Sequence, residues 1–137
     1  MNQALFWLYL INAVLLIDHE IDSAYWKEWR LFAWLFSGED TSCDDAAGHC
    51  GFILSHLPLL ALILWGLVEV SKVTLAGLII SIILSLGGIF AFTIHMFLIK
   101  KGRPEFRAWV SVGILSVMLL VSIAQLALSL MILLKAE

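Results

Sequence analysis

VTLAGLIISIILSLGGIFAFTIHMFLI, residues 73–99, decides the fold. The run holds no Lys, Arg, Asp or Glu, and His95 is its one strongly polar ring. A membrane helix needs about 20 mostly apolar residues. This stretch exceeds that and has length left over for tilt or for projection from the bilayer. Three further stretches read the same way: residues 3–22, 52–70 and 108–134. The second and third are joined tightly through Glu69, Ser71 and Lys72, which favours an antiparallel pair. Lys100, Lys101, Gly102, Arg103 and Pro104 turn the chain into the fourth, where Pro104 suits a first helical turn that needs no N–H from it. Pro58 falls near the start of the second span, where it does less damage than at midspan. The expected architecture is all-α: an antiparallel bundle of four transmembrane helices, forming one domain over residues 1–137.

Composition agrees. Of 137 residues, 62% are hydrophobic and 14% charged, and mean hydropathy is +1.01. A soluble domain is nearer half apolar, so the excess must face lipid. A net charge of −3 and the lack of a basic run argue against nucleic acid as a partner. The N-terminal stretch has no positive leading region and no small-residue cleavage site, so it reads as a permanent span rather than a signal peptide.

Residues 23–51 differ from the spans. Tyr25, Trp26, Trp29, Phe32, Trp34 and Phe36 alternate with Lys27, Glu28 and Arg30, a mixture that suits an interfacial segment. Ser37 to Gly51 then reads as a polar loop. Its Cys43 and Cys50 suit a disulfide in an oxidising compartment, or reduced thiols or metal ligands in the cytoplasm. With His49 they offer three zinc donors, but the spacing matches no strong zinc motif. The connections after the first and third spans carry Lys27, Arg30, Lys100, Lys101, Arg103 and Arg107, against Lys72 and Lys135 on the other side. The positive-inside rule puts those connections in the cytoplasm and both termini on the opposite, non-cytoplasmic side.

Three histidines fall in three different spans. At about 1.5 Å per residue, His19 lies ~24 Å along the first span, His56 ~6 Å into the second and His95 ~30 Å along the third. Because the chain reverses each time, all three reach one level near one membrane face. Ionisable side chains in lipid usually face protein or water and mark function. Asn12, His19 and Asp22 form one stripe, and Asp18 shares a face with Asp22. Glu20 points roughly 100° away from His19. Gly77, Ser81, Ser85 and Gly88 form a small-residue line that favours close helix approach, and His95 continues it. Ser111, Ser122, Gln125 and Ser129 share a face suited to interhelical hydrogen bonds.

Imidazoles and a carboxylate suit zinc, iron or manganese. The expected metal set is His19, Asp22, His56 and His95. Asp18 and Glu20 suit outer-shell or acid–base roles, and Ser23 and Ser55 suit hydrogen bonding to a substrate carbonyl. A ligand position left to water would generate a hydrolytic nucleophile. The expectation is a divalent metal such as zinc or iron, acting on a lipid-like small molecule by hydrolysis or isomerisation. The competing reading is a non-catalytic protein whose polar cluster stabilises the bundle or docks a partner. Haem between His56 and His95 ranks lower, because Leu57, Pro58 and Leu59 leave little room for the ring. Transport by one small bundle would require a homo-oligomer to build a pore.

The run His19-Glu20-Ile21-Asp22-Ser23-Ala24-Tyr25-Trp26-Lys27-Glu28-Trp29 resembles the signature of a family of small bacterial four-helix membrane proteins of unknown function. Leu57-Pro58-Leu59-Leu60 and the stretch from Phe92 to Arg107 resemble the same family, so the likeness spans nearly the whole chain. It implies a multi-pass protein of the bacterial cytoplasmic membrane with His19, Asp22 and His95 inside its motifs. It implies no activity. A more distant similarity links His19-x-x-Asp22-Ser23 to membrane proteins named for an HXXEE motif.

Overall fold

The computed structural model describes residues 2–30, 45–103 and 108–135. They form four helices: α1 (Asn2–Tyr25), α2 (Asp45–Ser71), α3 (Leu75–Lys100) and α4 (Trp109–Leu133). All four are long and apolar enough to cross a membrane. In lipid a helix satisfies every backbone group internally, so long apolar runs have few other solutions. Each helix packs on its neighbours in the cycle α1, α2, α3, α4, with the most extensive contact between α3 and α4 and a narrow diagonal contact between α1 and α3.

The bundle is apolar outside and partly polar inside. Phe90, Leu120, Leu64 and Ile83 are exposed, while Asn12, Ser81, Ser85, Ser122, Gln125 and Ser129 are buried. In water such a surface would be an aggregation patch. In a bilayer it meets its own kind, and the polar groups find one another instead. Asn12 Nδ2 donates to Gln125 Oε1 at 2.8 Å, and Ser122 Oγ donates to Asn12 Oδ1 at 3.2 Å. Gln125 Nε2 donates to Ser81 Oγ and the Ser81 carbonyl at 2.9 and 3.1 Å. Ser81 and Ser129 share a hydroxyl bond of 2.8 Å. Gly88 lets α4 come close, because a Cβ there would collide with Ser122. This chain of bonds fastens α1 and α3 to α4. Gln125→Leu strands the Asn12 amide and removes both donations to Ser81. We expect it to lower stability in detergent by about 1–2 kcal/mol, measured as a shift in the unfolding midpoint.

Three helices end with a residue in the left-handed region: Lys27 at φ 57°, Val73 at φ 56° and Gly102 at φ 85°. Each closes the paired backbone bonds of a Schellman cap. After α1 these are Glu28 N–H to the Ser23 carbonyl (3.0 Å) and Lys27 N–H to the Ala24 carbonyl (3.3 Å). Gly102 carries no steric penalty there, whereas Val73 is β-branched and strained. The tight α2–α3 hairpin holds Val73 in place. Thr74 Oγ1 accepts from Gly77 N–H at 3.0 Å and donates to Glu69 Oε2 at 2.8 Å, while Lys72 pairs with Glu69 Oε1 at 3.2 Å.

Two boundaries differ from the sequence reading. α1 runs one turn past Asp22, and α2 begins at Asp45, seven residues before the expected start at 52. An apolarity count stops at the polar residues near His49, but helix extension continues through them. Trp29 supports the start of the helix: its ring packs at a tilt against His49 and Phe52, at centroid distances of 5.5 and 5.7 Å. Consequently Pro58 lies well inside α2 rather than near its start. It removes one bond to the Leu54 carbonyl without ending the helix.

Candidate metal centre

The end of α1 and the last turns of α3 meet at one end of the bundle. His19 and His95 are buried there, at 5% and 3% exposure. Their rings touch edge to face, with centroids 4.9 Å apart and planes at 75°. His95 Nδ1 donates to the Ala91 carbonyl at 3.1 Å, one turn back on its own helix. That bond fixes the ring and aims Nε2 into the bundle. Nε2 faces Glu28 Oε1 at 3.1 Å.

Glu28 reaches this position because of the cap on α1. The left-handed Lys27 folds the chain back over the last turn, and Ser23 Oγ then donates to Glu28 Oε2 at 2.8 Å. His19, Glu28 and His95 each offer one ligand atom within 4.8 Å of the others. His19 Nδ1 is buried and has no hydrogen-bond partner. Asp22 Oδ2, Trp29 Nε1 and Ser111 Oγ share that state, and all four lie toward the same end of the bundle. The midspan network built on Asn12 and Gln125 leaves none of its polar groups unpaired.

The four residues of the expected metal set are arranged unequally. His19 and His95 touch. Asp22 is near His19 but outside the group of three that can share an ion. His56 lies in a second pair: its Nε2 faces Glu20 Oε2 at 2.6 Å and its Nδ1 donates to the Phe52 carbonyl. The two pairs repeat one design, in which Nδ1 holds the carbonyl four residues back and Nε2 meets a glutamate from the α1 region. Asp18 is exposed. Ser23 is buried and bonded to Glu28, and Ser55 turns to the Phe52 carbonyl. Cys50 is exposed, and Cys43 lies outside the described residues, so the disulfide or cysteine–metal expectation falls there too.

Glu28 was not in the expected set, because it read as one charge of an interfacial segment. Its signal was faint: a serine five residues earlier and a helix stop without glycine.

A family model described as a family of unknown function, DUF6713, matches residues 5–132. The chain belongs to DUF6713. The match takes in all of the candidate centre and both histidine–glutamate pairs, so the DUF6713 region and the four-helix bundle coincide almost end to end. Neither the curated proteins nor the solved structures gave a match. This DUF6713 chain is an integral, multi-pass membrane protein, and what it does must be argued from the site.

Proposed function

We propose that this protein binds one divalent metal ion, zinc or iron(II), through His19, Glu28 and His95, and uses it on a lipid-like substrate. The observation that carries the reading is the convergence of two buried imidazoles and one carboxylate from distant parts of the chain, with ligand atoms within 4.8 Å of one another. Two histidines and a glutamate form a donor set for zinc hydrolases and for non-haem iron. The Ala91 carbonyl on His95 and the Ser23 hydroxyl on Glu28 are the outer-shell bonds such ligands need. The unpartnered Nδ1 of His19 supplies a donor with no other task.

Three protein ligands leave a coordination position open. Water bound there loses a proton near neutral pH and becomes a nucleophile, while the ion polarises a substrate oxygen. Hydrolysis or isomerisation of an ester- or carbonyl-bearing lipid follows from that chemistry. The level of the site near a membrane face suits substrates whose polar ends lie in the headgroup region. Lys27, Arg30, Lys100, Lys101 and Arg103 lie at the same end, so we assign that end to the cytoplasm of a bacterial cell and both termini to the other side.

The test is metal analysis of the detergent-purified full chain beside His95→Ala. We expect about one ion per chain in the wild type and less than a tenth of that in the variant. A wild type purified in zinc- or iron-supplemented medium that carries neither metal would overturn the proposal. The structural reading rests on the Ser23–Glu28–His95 chain of bonds, which ties the α1 cap to α3. It would be favoured if His95→Ala lowered thermal stability while metal was absent from both proteins.

A further inference from the structure

We infer that the crevice between α1, α2 and α3 holds an acyl chain of a membrane lipid, with that lipid's polar end at the level of the two histidine–glutamate pairs. This deepens the metal reading by naming its substrate class, and it rests on that reading only for the chemistry. The crevice is a cavity of about 130 Å³, lined by Tyr9, Leu16, Leu59, Ile63, Leu84 and Gly87 among others. The single polar group of that lining, the Tyr9 hydroxyl, already donates to the Ile63 carbonyl at 2.9 Å. Its one proton is committed to a protein acceptor, the rest of the lining side chains are hydrocarbon, and apolar cavities of this kind stay dry and take hydrocarbon. An apolar space near 150 Å³ admits benzene, so this one accommodates a segment of on the order of six carbons.

The crevice opens to the bilayer. Ile83 lines it and is half exposed. Gly87 is exposed, and a Cβ on it would meet nothing within 4 Å. The surroundings at that depth are the tails of lipids, because all four helices are membrane spans. An acyl chain is therefore the occupant that the opening faces.

Register links the crevice to the polar site. On α1, Leu16 and Glu20 are four apart and stack on one face. On α2, His56, Leu59 and Ile63 fall at intervals of three and four, again on one face. The His56–Glu20 pair thus lies directly over the apolar slot. His19 is one turn above Leu16, and Tyr9 at the slot's lower end is about 16 Å below Glu20 along the helix. A polar cluster above a lateral apolar slot has the polarity of a lipid headgroup over one segment of its acyl chain, the rest of which stays among the tails of the bilayer. A soluble polar substrate would have no use for the slot.

Native mass spectrometry of the full chain, released from detergent with palmitoyl lysophosphatidylglycerol as probe, tests this. The wild type should retain one probe molecule. Gly87→Phe fills the slot from its open side and should lower retention at least tenfold, with metal content and thermal midpoint held at wild-type values. Equal retention by a folded Gly87→Phe would overturn the inference. Gly87→Leu, judged by the same criterion, replaces it if the larger ring prevents folding. Retention without metal in the wild type defeats the metal centre and leaves the slot standing. Metal without retention does the reverse.

Discussion

Gly77→Ala should loosen the α2–α3 hairpin and lower the thermal midpoint by several degrees. A Cβ on Gly77 would lie 2.5 Å from the Glu69 carbonyl carbon and 2.6 Å from both its oxygen and the Val70 nitrogen. All three are backbone atoms of α2, so no side chain can swing aside. The helices themselves must separate. The Glu69 carbonyl accepts from Lys72 N–H and Thr74 N–H, each at 3.2 Å, and the Glu69 carboxylate holds Thr74 and Lys72. Displacing that carbonyl disturbs every bond of the turn and the strained Val73 with it. Overpacking of this kind costs about 1–3 kcal/mol. Gly87→Ala is the control: it meets open space and gains up to about 1 kcal/mol of helix propensity. The two substitutions should move the midpoint in opposite directions, read by thermal unfolding in detergent. Equal midpoints would mean that the helices do not approach at Gly77 as described.

That glycine was legible in the sequence as part of a small-residue line, and so was much of the bundle. Long uncharged runs have few solutions in lipid, which made the helix number and antiparallel order readable from residues 73–99 outward. Counting rise per residue put His19, His56 and His95 at one level. It could not say which partners they take, because depth constrains only one coordinate. Facing depends on helix rotation, and rotation is set by packing. The Ser122, Gln125 and Ser129 stripe was visible, yet its partner Asn12 came from a helix whose own stripe pointed the reading toward His19.

Glu28 was hidden for a different reason. A Schellman cap is usually announced by glycine, as Gly102 announces the one after α3. After α1 the same geometry falls on Lys27, which gives no signal. Without that reversal Glu28 belongs to an interfacial strip of aromatics and charges. With it, the carboxylate turns back over α1 to Ser23 and His95. The start of α2 was obscured similarly: Trp29, part of the interfacial segment, also packs against His49 and Phe52 and supports a helical turn that hydropathy ignores.

Glu28→Gln should therefore empty the metal centre, whereas Asp22→Asn should leave it close to full. Glutamine keeps the length and an acceptor oxygen, so Ser23 and His95 retain a hydrogen-bond partner and the α1 cap persists. It lacks the negative charge that a divalent ion needs from its one carboxylate. Loss of an inner ligand should exceed the ~10–100-fold weakening typical of outer-shell changes. Glu28→Asp shortens the reach from the cap and should restore part of the metal content. Asp22 lies outside the group of three ligand atoms, so its amide should weaken binding modestly. Metal analysis and unfolding midpoints on the same preparations separate the roles: a structural carboxylate would move the midpoint, a ligand the ion content. If Asp22→Asn lost the ion and Glu28→Gln kept it, the site would be the one read from the α1 stripe, and the cap on Lys27 would serve only to end the helix.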